Sequence, residues 1–183
     1  MRIVAGLAKG RRLSSPAAGT RPTSDRAREA MFNTLASTIR LDGARVLDLF
    51  AGTGAVGLEA LSRGAAEAVF VEKNRAALDV LRRNVDAVGL PGAVIDPRHV
   101  SLVLGGGTDA PFDLVFADPP YADSDASVEQ LLLALCVEGW LAPDGVVVLE
   151  RSARTPVGDP VASLTPVAEK RYGDSLLWYG RRR

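Results

Sequence analysis

One stretch, Val46-Leu47-Asp48-Leu49-Phe50-Ala51-Gly52-Thr53-Gly54-Ala55-Val56-Gly57, decides most of what this chain can fold into. Its first half is apolar apart from Asp48, the pattern of a central parallel strand buried on both faces. Glycines then break the run, and Val56, Leu58 and Leu61 recur at helical spacing. A strand, a tight turn and a helix in that order make a cradle for a nucleotide-like ligand. Gly52 and Gly54 lack a Cβ, so a ligand can lie against the backbone there.

Two ligands compete for such a cradle. Gly52-x-Gly54-x-x-Gly57 satisfies the dinucleotide fingerprint, and Glu72 follows Gly52 by 20 positions, close to the ~20 expected of a ribose-binding acid. Asp48 argues the other way. A carboxylate beside a pyrophosphate is repelled, whereas a sulfonium cofactor with a free α-amino group attracts one. The stretch therefore favours S-adenosyl-L-methionine and leaves an NAD-dependent oxidoreductase as the rival reading.

The chain has 183 residues, 47% of them hydrophobic, which suits one domain with a full core. Formal net charge is +0, but its distribution is uneven. Arg2, Lys9, Arg11, Arg12, Arg21, Arg26, Arg28 and Arg40 face only Asp25 and Glu29 within the first forty residues. That asymmetry points to an anionic partner for the N-terminal part. Cys136 is the only cysteine and lies in an apolar helical run, so it reads as a buried thiol in a reducing compartment. No apolar run approaches the ~20 residues of a membrane span, and no signal-peptide pattern opens the chain. A cytoplasmic monomer is expected. No Cys/His cluster offers a metal site.

In chain order, residues Arg2–Leu13 suggest two short strands about a basic turn. A helix opens near Thr23 or Ser24, with Ala27, Ala30, Met31, Thr34, Leu35 and Ile39 as its packed face and Arg26 and Arg28 on other faces. Residues 1–40 are then an N-terminal extension, too short for a core of its own, and 41–183 the main domain. Within that domain, strands at Arg45–Phe50, Ala68–Glu72, Ala93–Ile95, Asp113–Ala117 and Val146–Glu150 alternate with helices at Ala55–Arg63, Asn74–Val88, Val100–Leu104 and Ser127–Cys136. Pro143-Asp144-Gly145 reads as a turn before the fifth strand. Two closing segments, Ser163–Arg171 and Ser175–Tyr179, form an antiparallel hairpin about Tyr172-Gly173-Asp174. Strand and helix alternation of this kind gives an α/β fold with a mostly parallel sheet.

Ligands in such a sheet bind beyond the carboxyl ends of the strands. Asp48 with the glycine loop, Glu72, the segment after Ile95, and Asp118-Pro119-Pro120-Tyr121 all fall there. The two prolines fix the backbone and remove N–H donors. An Asp carboxylate and rigid carbonyls are acceptors, so this segment suits a donor such as an exocyclic amine. Tyr121 supplies a flat face for a stacked base, a contact worth ~1–3 kcal/mol.

Asp118-Pro119-Pro120-Tyr121 combined with Asp48-x-Phe50-x-Gly52-x-Gly54 resembles the class I amino-methyltransferases. Arg2–Gly6, Lys9-Gly10-Arg11, the block from Thr20 to Asn33, Val71-Glu72-Lys73-Asn74 and Tyr172-Gly173-Asp174 extend the likeness over nearly the whole chain. It resembles, more narrowly, the RsmD-type 16S rRNA guanine-N2 methyltransferases. The resemblance implies a Rossmann-like, seven-stranded, mostly parallel sheet with an antiparallel last strand, and an N-terminal hairpin and helix that contact RNA. It implies methylation of the N2 amine of one guanine in the small ribosomal subunit, with S-adenosyl-L-methionine as donor. Activity on another exocyclic amine, such as a DNA adenine, or on a protein glutamine is the alternative within the same chemistry, and a silent RNA-binding module the alternative outside it.

The residue roles follow from the same likeness. Asp118, Pro119, Pro120 and Tyr121 are the expected catalytic group. Asp48, Phe50, Ala51, Gly52 and Gly54 would hold the methionine end of the cofactor, and Glu72, beside Lys73, its ribose. The loop at Arg21, Pro22 and Thr23 would cover it. Lys9, Arg11, Arg12, Arg26 and Arg28 are the expected RNA contacts. Family members often carry Asn or Asp followed by Ala after strand three, whereas this chain reads Arg98-His99-Val100. The adenine contact is therefore expected from backbone N–H groups and the apolar Val100, and His99, the sole histidine, reads either as an ordinary surface residue or as part of the lining of the adenine pocket.

Overall fold

The computed structural model describes residues 1–15, 25–120, 123–154 and 161–183. Helix α1 (Asp25–Ala36) leads to strand β1 (Arg45–Leu49), helix α2 (Ala55–Ser62), strand β2 (Glu67–Val71), helix α3 (Arg75–Val88) and strand β3 (Ala93–Asp96). The second half runs through helix α4 (Val100–Leu104), strand β4 (Phe112–Ala117), helix α5 (Asp125–Val137) and strands β5 (Leu141–Ser152), β6 (Leu164–Tyr172) and β7 (Ser175–Arg182).

Local chemistry sets the boundaries. Asn74 caps α3, its side chain accepting from Ala77 N at 3.1 Å, and Gly89 ends the helix in the left-handed conformation. Ser124 caps α5 by accepting from Ser127 N at 3.2 Å. Helix α2 lacks a side-chain cap from its own entry residue, Gly54. The Asp48 carboxylate on β1 takes that role from below, accepting from Gly57 N at 3.0 Å.

The seven strands form one sheet in the order β3-β2-β1-β4-β5-β7-β6. All neighbours from β3 to β5 are parallel, and β7 runs antiparallel to both β5 and β6. The chain winds outward from β1 to β3, then crosses back to β4 on the other side of β1. Strand order therefore reverses between β1 and β4, and the carboxyl ends of these strands are where an open α/β sheet binds its ligands. This is the expected fold class. One detail departs from expectation: Pro143-Asp144-Gly145 lies inside β5. The pairing with β4 shifts between Phe112↔Leu141 and Leu114↔Val146, and Asp144 takes φ 60. The turn residues are absorbed as a bulge.

Apolar side chains alternate between the two faces of the sheet, as strand geometry requires. Val46, Phe70, Leu114, Phe116, Val146 and Val148 pack with Met31, Phe32, Leu58, Leu61, Leu78 and Leu81 on the side of α1, α2 and α3. Leu47, Leu49, Val115, Ala117, Val147 and Leu149 pack with Val103, Leu132, Leu135 and buried Cys136 on the side of α4 and α5. Among the described residues, no helix is long and apolar enough to cross a membrane.

The N-terminal segment joins the first of these layers, with Ile3 and Leu13 in the same cluster as Val46. The expected pair of strands reduces to one bridge, Arg2↔Arg12. Ile3 N, Gly10 N and Leu13 N still bond within the segment, but the amides between Ile3 and Lys9 are largely spent on α2. Val4 N and Ala5 N donate to the Glu59 carboxylate at 2.8 and 3.0 Å, and Leu7 N donates to Ser62 O at 2.7 Å. Gly6 lies so close that a Cβ there would sit 1.7 Å from Ser62 O.

The buried face of α1 is Arg28, Met31, Phe32 and Leu35. Arg28 is a correction to the expected pattern, which puts it off the packed face. Its guanidinium is fully buried and reaches the Asp25 carboxylate at 3.0 Å, the Glu59 carboxylate at 3.5 Å and the Arg2 carbonyl. Glu59 is also fully buried and takes Arg63 Nε at 2.8 Å. Buried charge is tolerable only when paired and hydrogen-bonded, so Glu59 draws in a cation from across the fold.

Candidate active site

The loop that leaves β1 lies at the point where strand order reverses. Phe50, Gly52 and Gly54 all take positive φ, 62, 54 and 75, so the chain doubles back sharply before entering α2. For Phe50 this is a strained conformation, held by its surroundings. Ala51 N donates to Val71 O at 3.0 Å, and Gly54 N to Ala51 O at 2.7 Å. Asn84 of α3, fully buried, donates to Thr53 O at 2.9 Å and also accepts from Ser14 N at 2.7 Å. One amide thus ties the loop to the N-terminal segment.

The glycines divide the work differently from the expectation that both Gly52 and Gly54 clear space for a ligand. A Cβ on Gly54 would lie 2.3 Å from Leu81 Cδ1, and one on Gly57 2.4 Å from Phe70 Cε1. Those two positions are bare because core side chains press against them. Gly52 is the open one, with nothing among the described residues nearer than Phe50 O at 3.9 Å. The surface available to a ligand is therefore the backbone at Gly52.

Glu72, just past β2, secures that backbone. Its Oε2 accepts from Gly52 N at 2.9 Å and its Oε1 from Asn74 N at 2.7 Å. A carboxylate has about four acceptor positions, so these bonds fix its orientation and leave capacity for hydroxyl donors. Asp48 is nearly inaccessible, at 1% exposure. Burial pushes its pKa up to about 8, against the pull of the Gly57 N–H, and the nearby charges of Asp118 and Glu72 add to the rise. Asp118 is pushed up to about 7, first by burial and then by Glu150. Glu150, near the carboxyl end of β5, is 5% exposed and accepts from Ser175 Oγ at 2.7 Å.

The structure thus brings Asp48, the loop from Phe50 to Gly54, Glu72 and Asp118 to adjacent strand ends. Pro119 is buried and Pro120 exposed. The Pro120 carbonyl accepts from Asp123 N at 2.9 Å, so of the rigid carbonyls expected to face a donor this one is already paired. Tyr121, like Arg21, Pro22 and Thr23, lies outside the described residues. Lys73 is exposed beside Glu72.

His99 is exposed and caps α4. Its Nδ1 accepts from Ser101 N at 3.2 Å and lies 2.8 Å from Ser101 Oγ. Val100 is buried beneath it. Arg98 pairs with Asp96 at 2.6 Å and holds that carboxyl below its usual range.

Of the expected RNA contacts, Lys9, Arg11, Arg12 and Arg26 are exposed. Arg11 Nη1 donates to Ala87 O at 2.7 Å, at the carboxyl end of α3. Arg28 is the exception, because a guanidinium enclosed by Asp25, Glu59 and the Arg2 carbonyl cannot reach a phosphate.

Sequence reasoning passes over Asn84, Glu150 and Arg151. Asn84 sits three residues after Leu81 on the apolar face of its helix, where a polar residue signals an internal partner. Arg151 is 4% exposed, and its guanidinium meets Asp125 at 2.9 Å and the Asp123 carbonyl at 3.4 Å. Glu150 completes a pattern visible in the chain, since β1, β2, β3, β4 and β5 each carry an acid within two residues of the carboxyl end. Among the described residues, no group of three or more His, Cys, Asp and Glu is placed to hold a metal ion.

Comparison with known proteins agrees with this fold. The family model described as Conserved hypothetical protein 95 matches residues 1–181. Ribosomal RNA small subunit methyltransferase D of Escherichia coli (strain K12) is 41% identical over 152 residues, covering 82% of this chain and 74% of that protein. Putative rRNA methyltransferase YlbH of Bacillus subtilis (strain 168) is 32% identical over 177 residues, 94% of each chain. The solved structure of putative methyltransferase yhhF from Escherichia coli superposes with a TM-score of 0.87 at 33% identity, covering 100% of this chain and 98% of that one.

Proposed function

This chain belongs to the family described as Conserved hypothetical protein 95, and we propose that it transfers a methyl group from S-adenosyl-L-methionine to the exocyclic N2 of one guanine in 16S rRNA. It is an rRNA methyltransferase, the activity carried by its relatives' names. Its substrate in this reading is the small ribosomal subunit or an assembly intermediate, which it meets in the cytoplasm as a monomer.

The observation that carries the reading is the gathering of Asp48, Glu72 and Asp118 around one glycine loop, close enough for Asp118 and Glu72 to raise the pKa of Asp48. A pyrophosphate would add negative charge to that repulsion, and a cation relieves it. The residues therefore fit adenosylmethionine, with its sulfonium and α-ammonium groups, better than a dinucleotide. Glu72 would accept from the ribose hydroxyls, and Asp48 with the backbone from Phe50 to Gly54 would hold the methionine end. The open face of Gly52 admits the ligand. Val100 would lie against the adenine, with His99 at its rim. The segment at Arg21, Pro22 and Thr23 would cover the site. When bound, the cofactor supplies a methyl group made electrophilic by its sulfonium.

The protein's own groups do the rest. The guanine must leave its stack to reach the site, and Tyr121 would provide the surface on which it rests. The N2 lone pair is delocalised into the ring. Accepting hydrogen bonds from N2–H, the Asp118 carboxylate and the Pro119 carbonyl would localise that pair and bear the positive charge that develops on nitrogen. With its pKa raised to about 7, Asp118 is also matched to receive the departing proton near neutral pH. Pro120, by closing the turn to Asp123, would keep the carbonyl ahead of it in place, and positioning of this kind supplies much of the acceleration. Residues 1–40 would form the RNA-facing extension, with Lys9, Arg11, Arg12 and Arg26 outward and Arg28 as internal support.

The test is Asp118→Ala. Turnover on undermethylated small subunits should fall by ~10²-fold or more, while adenosylmethionine affinity by calorimetry stays near the parent's. Unchanged turnover would remove Asp118 from the reaction.

A further inference from the structure

The mechanism above leaves one buried acid beside the reaction unused. Glu150 sits directly next to Asp118. The parallel register pairs Ala117 with Leu149, so the following residues are neighbours across β4 and β5. Both fall on the same face of the sheet as Phe116 and Val148, which pack in one layer. They are also close enough in charge for Glu150 to oppose the ionisation of Asp118.

Glu150 is held rather than loose. It is 5% exposed, and Ser175 Oγ, on the next strand, donates to its Oε1 at 2.7 Å. A second carboxylate beside an already strained one is a costly choice for packing alone. A glutamine would fill the same volume and accept the same serine bond. The arrangement makes chemical sense if the ligand brings two adjacent donors to these two acids.

The Watson–Crick edge of guanine does this, offering N1–H next to the N2 amine. The edge of adenine offers its amine next to a bare N1, an acceptor that a carboxylate repels. We propose that Glu150 accepts the N1–H of the target guanine, leaving the N2 amine to Asp118, and that it thereby selects guanine over bases whose ring nitrogen carries no proton. This assignment rests on the guanine-N2 reading above. It makes Glu150 a substrate-contacting, specificity-determining residue. Ser175 becomes the residue that aims it.

The experiment uses small subunits reconstituted with rRNA that carries either guanine or 2-aminopurine at the position the wild-type enzyme marks. 2-Aminopurine keeps the amine but has no N1–H. The wild-type enzyme should prefer guanine by ~10–100-fold in kcat/KM, the usual scale of one base-edge contact. In Glu150→Gln the activity on guanine should fall and the preference should shrink toward unity, with adenosylmethionine affinity retained. In Ser175→Ala the preference should drop part of the way. The wild-type measurement alone is decisive even if Glu150→Gln does not fold, because equal rates on the two bases overturn the assignment. A full guanine preference in a folded Glu150→Gln overturns it as well. If the label lands on an atom other than guanine N2, the underlying reading falls and this assignment with it.

Discussion

Replacing Asp48 by Asn should make the protein's stability less dependent on pH, in a direction fixed by the burial of this acid. Asp48 has 1% exposure and a pKa pushed from 3.8 to about 8. Its folded-state pKa lies above the unfolded one, so the native state holds a proton that the unfolded chain releases. The stability this contributes is fully present below pH ~4 and is lost as pH rises through about 8. Each pKa unit corresponds to ~1.4 kcal/mol, which gives an upper bound on the order of 5 kcal/mol across the window. Asparagine can still accept from Gly57 N through its Oδ1, but it does not ionise. Urea unfolding of both proteins between pH 5 and 8 should therefore show the variant gaining on the parent by up to ~1.4 kcal/mol per pH unit. A cationic ligand should drive the same proton off. Calorimetric titration with adenosylmethionine at pH 7, in buffers of differing ionisation enthalpy, should register proton release that shrinks in Asp48→Asn. Parallel stability profiles for the two proteins would refute the claim that Asp48 is a buried acid under electrostatic pressure.

Two other perturbations separate the cofactor side from the RNA side. Glu72→Ala removes both the partner of Gly52 N and the proposed ribose acceptor. Its adenosylmethionine Kd should rise at least tenfold by calorimetry, and an unchanged Kd would deny Glu72 that role. Lys9→Ala combined with Arg12→Ala should weaken subunit binding and lower the slope of log K against log salt by roughly one unit for each phosphate no longer neutralised. An unaltered slope would mean that these cations face solvent in the complex.

What could be read from the chain was local. The apolar run ending at Leu49, the acid-ended strands, the helix start at Asn74 and the closing hairpin are patterns within a few residues, and their elements appear within a few positions of expectation. The site was legible for the same reason, because its acids lie at strand ends. What escaped depends on partners far along the chain. Arg28 looks like a surface cation because Glu59, 31 residues away, cannot be seen from its own helix. Gly54 looks like clearance for a ligand, although Leu81 and Phe70 fill the space beside it. Pro143-Asp144-Gly145 has the composition of a turn, and only pairing with β4 turns it into a bulge.

The most direct measurement follows the methyl group itself. Purified protein is incubated with methyl-labelled adenosylmethionine and small subunits that lack the modification, and the rRNA is digested to nucleosides and resolved by mass spectrometry. Label in N2-methylguanosine from a single position of 16S rRNA, its rate of appearance lowered by ~10²-fold or more with Asp118→Ala, is the predicted result. Label in N6-methyladenosine or in ribosomal protein, or no transfer from a preparation that binds the cofactor, would contradict it.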